Sequence, residues 1–260
     1  MKILQICNEI PNFGDRLARI ITERLFGHSV IEVFNAIPSD FSNTRVLAGL
    51  GSFLGYYLDW PLEVWGTGFE PGYLPRETLR TLARPPNWRI HAVRGHVTRV
   101  AFGLHDDIPV GDPGYLVPNF YTPHATYPAK VRYFTHCDHS DEKINVDADE
   151  VISTTEDVFS IIDRIVSSEF VFTESLHVAI VAHAYNIPWA WALRKHYRGM
   201  TKWYDWFSSI DVNGTCFRPQ DLLTARCWYK GAKSDMKRIN TDRLLAAFPH
   251  DIGISAEQIL

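Results

Sequence analysis

The chain has 260 residues, 46% hydrophobic and 22% charged, enough apolar material for one large core or two modest ones, and two domains of roughly 130 residues each are expected. A formal net charge of -4, with acidic and basic residues interspersed, excludes a broad electrostatic grip on nucleic acid. Cys7, Cys137, Cys216 and Cys227 form no Cys-x-x-Cys pair, and Met1-Lys2 leads into an apolar strand without a signal-peptide core, so a reducing cytoplasmic compartment is expected. The most apolar long window, Leu176 to Leu193, is interrupted by His177, His183, Asn186 and Pro188 and fails as a transmembrane segment.

Ile3 to Cys7 reads as a short apolar strand, followed by the loop Asn8 to Asp15 and an amphipathic helix from Arg16 to about Phe26. In an open α/β sheet such a loop faces the ligand crevice, which makes Asn12 and Gly14 lining candidates. Asp15 is either a catalytic carboxylate or a helix N-cap. Val30 to Phe34 is a second strand. Arg45 to Ser52 and Leu62 to Phe69 each run a strand into a Gly-x-Gly turn. Neither turn completes the dinucleotide fingerprint, so no NAD or other cofactor is expected.

Trp88 to Gly95 is another strand, and Arg94 at its carboxyl end has a planar fork suited to a carboxylate or phosphate, or to a surface ion pair. Val110 to Tyr115 forms a compact turn around Asp112 and Pro113. The proline-rich tract Val117 to Pro128 reads as a domain linker. Val131 to Thr135 opens a second domain, and His136-Cys137-Asp138-His139 is its carboxyl-end loop. Adjacent positions rarely converge on one tetrahedral ion and the usual ligand spacings are absent, so no metal is expected.

Val151 to Ser153 is a strand and Glu156 to Val166 a helix with Val158, Ile161, Ile162 and Ile165 on one stripe. The clearest unit follows. Phe170 to Phe172 ends a buried strand, Thr173-Glu174-Ser175 turns, and from Leu176 the apolar residues recur at helical spacing until Asn186-Ile187-Pro188 stops the helix. Trp189 to Leu193 is the next strand. His177 falls in the first helical turn, where unpaired backbone N–H groups favour anions. Arg194 to Arg198 is cationic. Lys202 to Phe207 is aromatic, with Trp203, Phe207 and Ile210 at core spacing and the same rings able to stack on sugars. Beyond Asp211 the chain is polar and amphipathic, with a helix expected at Asp242 to Phe248.

Taken in order, Asn12-Phe13-Gly14-Asp15, Gly49-Leu50-Gly51-Ser52, Val93-Arg94-Gly95, Gly111-Asp112-Pro113 and Thr173-Glu174-Ser175-Leu176-His177 leading into Ile187-Pro188 resemble the polysaccharide pyruvyl transferase family. Lys202-Trp203-Tyr204-Asp205-Trp206 is similar to its exopolysaccharide ketal-pyruvate branch. The resemblance implies two Rossmann-like domains in a GT-B-like arrangement with a cleft between them, placed at residues 1–125 and 126–260, the second binding the donor. It also implies phosphoenolpyruvate as donor, a saccharide diol as acceptor, and a pyruvate ketal and phosphate as products. A lipid-linked acceptor would bring the protein to the inner face of the membrane through peripheral contact.

On that resemblance, His177 is the acid/base, Glu174 orients it or takes an acceptor proton, and Arg94 holds a donor anion, with His136 as a further contact. Many relatives carry an arginine where this chain has Ser175, so Arg194, Lys195, Arg198 or Lys202 is expected to supply the cation. Two other readings stay open: a nucleotide-sugar glycosyltransferase of the same architecture, and a non-catalytic glycan-binding relative.

Overall fold

Short apolar runs separated by amphipathic segments favour parallel strands covered by helices, and the chain folds so. The computed structural model describes residues 2–9, 12–41, 44–74, 76–80, 82–124, 130–139, 143–194 and 199–252. In chain order the elements begin with β1 (Lys2–Ile6), α1 (Phe13–Phe26), β2 (Ser29–Val33), β3 (Val46–Ala48), β4 (Leu62–Trp65), α2 (Arg76–Arg80), β5 (Arg89–Ala92) and α3 (His96–Ala101). They continue with β6 (Lys130–Thr135), β7 (Glu150–Ser153), α4 (Val158–Val166), β8 (Ser168–Thr173), α5 (Leu176–Ala184) and β9 (Trp189–Ala192). The last are α6 (Thr201–Ser209), β10 (Cys216–Phe217), α7 (Leu222–Ala232) and α8 (Thr241–Ala246).

Packing gathers these into two compact units. One holds Met1–Pro113, Arg198–Ser209 and Ile239–Leu260, the other Gly114–Tyr197 and Ile210–Arg238. The first unit carries a parallel sheet in the order β2-β1-β3-β4-β5, the second a parallel sheet in the order β10-β9-β8-β6-β7. Counted from its own first strand, each sheet therefore runs 2-1-3-4-5. This is a doubly wound, Rossmann-like order, and it reverses beside the first strand, where loops at the carboxyl ends open a ligand crevice.

In the first unit, α1 begins at Phe13, three residues before the Arg16 start expected from periodicity, because Asn12 is its cap. The helix buries Phe13, Leu17, Ala18 and Ile21 and stops at Gly27, whose φ of 67° is left-handed. Leu4, Ile6, Val46, Val64, Trp88 and Phe102 belong to one apolar cluster of this unit. The chain returns to the unit near its end, where Trp65 Nε1 donates to the Leu244 carbonyl at 2.8 Å and the Phe26 and Phe248 rings stack. The aromatic run on α6 is core: Trp203, Trp206 and Phe207 are buried, as is Ile210.

In the second unit, Val131, Tyr133, Phe170, Phe172, Ala190 and Ala192 pack on the sheet. The start of the proline-rich tract coils as a 3-10 segment, Pro113–Asn119, with Leu116 and Val117 buried. Among the described residues no helix is long and apolar enough to cross a membrane.

Candidate functional site

The reversal of strand order directs attention in the first unit to the loops after β1 and β3. After β1, the Asn12 side-chain oxygen accepts from the backbone N–H of Gly14 at 2.8 Å and of Asp15 at 3.2 Å. Asp15 Oδ2 reciprocates, accepting from Asn12 N–H at 3.1 Å and from Asn8 Nδ2 at 2.7 Å. Asn12 is thus the N-cap, and Asp15 its partner in a capping box rather than the cap itself. Burial raises the Asp15 pKa against the opposing hydrogen bonds from Asn8 and Asn12.

Arg94 packs against the glycine turns, and its side chain has no exposed surface. Its Nε donates to Asp205 Oδ2 at 3.0 Å, and Nη1 donates to the Gly51 carbonyl and Ser52 Oγ, both at 2.9 Å. Asp205, equally buried, also accepts from Thr98 N–H at 2.8 Å and Thr98 Oγ1 at 2.7 Å, tying α6 to the first turn of α3. A Cβ on Gly68 would stand 2.1 Å from Arg94 Nη2, and one on Gly95 1.8 Å from the Asp205 carbonyl oxygen. These positions are glycine because a guanidinium and a helix pass directly over them. Arg94 therefore holds the turn at Gly51-Ser52 through hydrogen bonds from a buried guanidinium. Lys202 also belongs to this unit, its backbone N–H donating to the buried Glu70 carboxylate at 3.1 Å.

In the second unit the corresponding loops follow β6 and β8, and they meet around one carboxylate. Glu174 Oε1 accepts from Arg194 Nε at 3.0 Å, while Oε2 accepts from Arg194 Nη2 at 3.1 Å and His136 N–H at 2.9 Å. His139 Nδ1 lies 3.3 Å from the same oxygen. Burial alone would raise the Glu174 pKa, but Arg194, the His136 amide and the charge on His139 together hold it below its ordinary value. The Tyr133 hydroxyl borders this pair; burial first, then the Glu174 charge, pushes its pKa far up, so it stays a proton-bearing donor. Ser175 caps α5 by backbone position alone, its own N–H donating to Thr173 Oγ1 at 2.9 Å, and His177 occupies the helix's first turn, half-buried.

The chain is 28% identical over 186 residues to the succinoglycan biosynthesis protein ExoV of Rhizobium meliloti. The match covers 65% of this chain and 54% of that protein, so the chain spans about half the length of the curated relative it matches. Among solved structures it is similar to a functionally uncharacterised protein from Klebsiella pneumoniae, with a TM-score of 0.50, 13% identity, and coverage of 83% of this chain and 92% of that one. At that identity the likeness speaks for the fold alone. No family model matches the chain.

The residues singled out from sequence divide between the units. Asn12, Gly14, Asp15, Arg94 and Lys202 lie in the first, and His136, Glu174, Ser175, His177 and Arg194 in the second. Lys195 and Arg198 lie outside the described residues. The structure joins His136, Glu174 and Arg194 directly, so Arg194, arriving from the end of β9, is a described cation held beside the turn at Glu174-Ser175. Tyr133 and His139 escaped the sequence reading as site residues. Tyr133 looked like an ordinary strand residue, although a tyrosine inside an otherwise apolar strand needs a polar neighbour for its hydroxyl. The loop after β6 also brings His136, Cys137 and Asp138 together, their ligand atoms all lying within 4.8 Å of one another. Hydrogen bonding to His136 is the first cause that holds the Asp138 carboxyl down at about 2.

Proposed function

We propose that the protein moves the enolpyruvyl group of phosphoenolpyruvate onto a saccharide diol of an exopolysaccharide or its precursor, closing a pyruvate ketal and releasing phosphate. The observation that carries this reading is the cluster at the carboxyl end of the second sheet. There Glu174 fixes the Arg194 fork and the two histidine-bearing positions of the β6 loop, next to the helix turn that carries His177. A donor with two anionic groups, a carboxylate and a phosphate, needs cations and N–H donors at a strand-order reversal, and a helix N-terminus adds to them. The 28% identity to a succinoglycan biosynthesis protein supports a saccharide acceptor. With this reading go a GT-B-like pairing of the two Rossmann-like units and a sugar-binding role for the first, along the turns at Asn12 to Asp15 and Gly51-Ser52.

The chemistry assigns a part to each group. Protonated His177 delivers its proton to the donor's methylene carbon as the double-bond pair takes it, and positive charge develops at the adjacent carbon. One acceptor hydroxyl adds there and its proton returns to His177. The second hydroxyl then displaces phosphate, and its proton leaves on the phosphate. General acid catalysis of this kind contributes about 10²–10⁴-fold. Both Glu174 oxygens are engaged by the Arg194 guanidinium, so Glu174 acts as a positioning residue for Arg194 rather than as the base.

The test is phosphate release from phosphoenolpyruvate in the presence of a saccharide acceptor. His177→Ala is expected to abolish it with the circular dichroism spectrum and melting temperature unchanged; near-normal turnover in that variant would remove His177 from the mechanism.

A further inference from the structure

Serine is a preferred helix N-cap because its oxygen accepts from one of the first backbone N–H groups, which have no partner inside the helix. The second unit shows such a cap on α4, where Asp157 Oδ1 accepts from Ser160 N–H at 2.9 Å. α5 begins differently. Ser175 stands at its N-cap with an extended backbone suited to capping, φ -92° and ψ 120°, yet its side chain makes no hydrogen bond to the helix. Among the described residues the Ser175 hydroxyl bonds no other group either. Its backbone N–H is occupied, donating to Thr173 Oγ1 at 2.9 Å, and that bond fixes the turn.

The place is not a frayed surface end. Ser175 is only 8% exposed, between Glu174 at 7% and Leu176 at 2%. A hydroxyl so deeply set is ordinarily paired within the protein. This one is held ready at the head of a nine-residue helix, and that helix leaves β8 beside the strand-order reversal where open α/β sheets take their ligands. The adjacent carboxylate does not repel an anion there, because both Glu174 oxygens accept from the Arg194 guanidinium. Helix N–H groups and a hydroxyl together present donors in several directions. A planar carboxylate offers two oxygens to them, whereas a phosphate ester offers three and gains more from the helix dipole through its greater charge.

We propose that Ser175 and the first N–H groups of α5 form a phosphate-binding site, which holds the donor's phosphate and stabilises it as it leaves. The inference rests on the proposed transfer for the identity of the phosphate ester. When the carbon–oxygen bond to phosphate breaks, the electron pair stays on the phosphate oxygen and the proton of the second acceptor hydroxyl goes to the phosphate. The Ser175 hydroxyl keeps its own proton and donates it as a hydrogen bond to that group, and the amino end of α5 opposes the added charge.

Isothermal titration calorimetry with inorganic phosphate and with phosphoenolpyruvate, on the full-length wild type, Ser175→Ala and Ser175→Asp, tests it alongside the ligand-free melting temperatures. The hydroxyl holds nothing in the protein, so Ser175→Ala is expected to melt as the wild type does, whereas loss of a working cap would lower the transition by about 2–4 °C. Phosphate affinity is expected to fall about tenfold or more in Ser175→Ala. In Ser175→Asp it is expected to vanish with the melting temperature equal or higher, because the new carboxylate caps the helix and repels the anion. Phosphoenolpyruvate is expected to follow the same order. No phosphate binding in the wild type, equal affinity in Ser175→Ala, or a lowered melting temperature there with affinity unchanged would overturn the proposal. Phosphate binding that depends on Ser175, with none of phosphoenolpyruvate, would uphold this site and refute the donor; phosphoenolpyruvate binding indifferent to Ser175 would do the reverse.

Discussion

Replacing Asp205 with alanine removes three hydrogen bonds, from Arg94 Nε, Thr98 N–H and Thr98 Oγ1, at a residue with no solvent exposure. The larger consequence falls on Arg94, whose guanidinium is left charged and buried, with the Gly51 carbonyl and Ser52 Oγ as its remaining acceptors among the described residues, both at 2.9 Å. Breaking one side of a buried pair in this way costs roughly 3–5 kcal/mol. At about 2–4 °C per kcal/mol for a unit of this size, the melting transition of the first unit should fall by about 6–20 °C in differential scanning calorimetry. Much of the loss comes from the stranded charge rather than from the missing attraction. The double variant Arg94→Met with Asp205→Leu is therefore expected to recover most of it, with a coupling well outside simple additivity. A drop under about 2 °C in Asp205→Ala, or a double variant as unstable as the two singles combined, would refute the assignment of this pair as the clasp between α3 and α6.

Two further outcomes follow from the second unit. His183 accepts from Trp189 Nε1 at its Nδ1, 3.4 Å away, and its Nε2 bonds the Lys237 carbonyl at 3.2 Å, so the ring is neutral and burial pushes its pKa from 6.5 down to about 4. The unfolded chain takes up this proton at higher pH than the folded one does. Stability is thus complete above about pH 6.5 and declines as pH falls toward 4, by about 3 kcal/mol at most. Urea unfolding at several pH values should show that slope in the wild type and lose it in His183→Gln, and an identical slope in both would contradict the assignment. Glu174→Gln releases the Arg194 fork; the phosphoenolpyruvate KM is expected to rise about tenfold or more with a smaller change in kcat. Because the folded pKa of Glu174 is depressed, its stabilisation is present above the ordinary carboxylate range and lost as pH falls below it, and this acid loss should vanish in the variant. A change confined to kcat, with KM untouched, would instead make Glu174 a participant in the chemistry.

Local signals in the sequence carried the architecture some distance. The switch from strand to helical periodicity at Thr173-Glu174-Ser175 located β8, α5 and β9 closely, because apolar patterning there is strong and Pro188 ends the helix cleanly. The polar turn residues sit at the carboxyl ends of β6 and β8 as that pattern implies. Pairings over long sequence distances were not legible. Arg94 and Asp205 are 111 positions apart, and nothing local distinguishes a buried arginine from one facing a crevice. Tyr133 was hidden by its apolar neighbours, and its meaning comes only from Glu174 and Arg194 arriving from other strands. Asn12 and Asp15 are both good capping residues, and local preference alone did not assign the cap to Asn12. α7 was missed because its exposed face, with Leu223 77% exposed, blurs the amphipathic stripe that Leu222 and Ala225 define. The convergence of His136, Cys137 and Asp138 depends on a single 3-10 turn that no spacing rule describes.

The most direct trial of the proposed transfer needs no knowledge of the acceptor: the melting temperature of the purified protein with phosphoenolpyruvate, and separately with nucleotide sugars, in the wild type and in Arg194→Gln. Phosphoenolpyruvate at about 100 times its dissociation constant should add roughly 2.7 kcal/mol to the wild type, and the shift should disappear in the variant. Stabilisation by a nucleotide sugar with none from phosphoenolpyruvate would contradict the reading and point to glycosyl transfer instead.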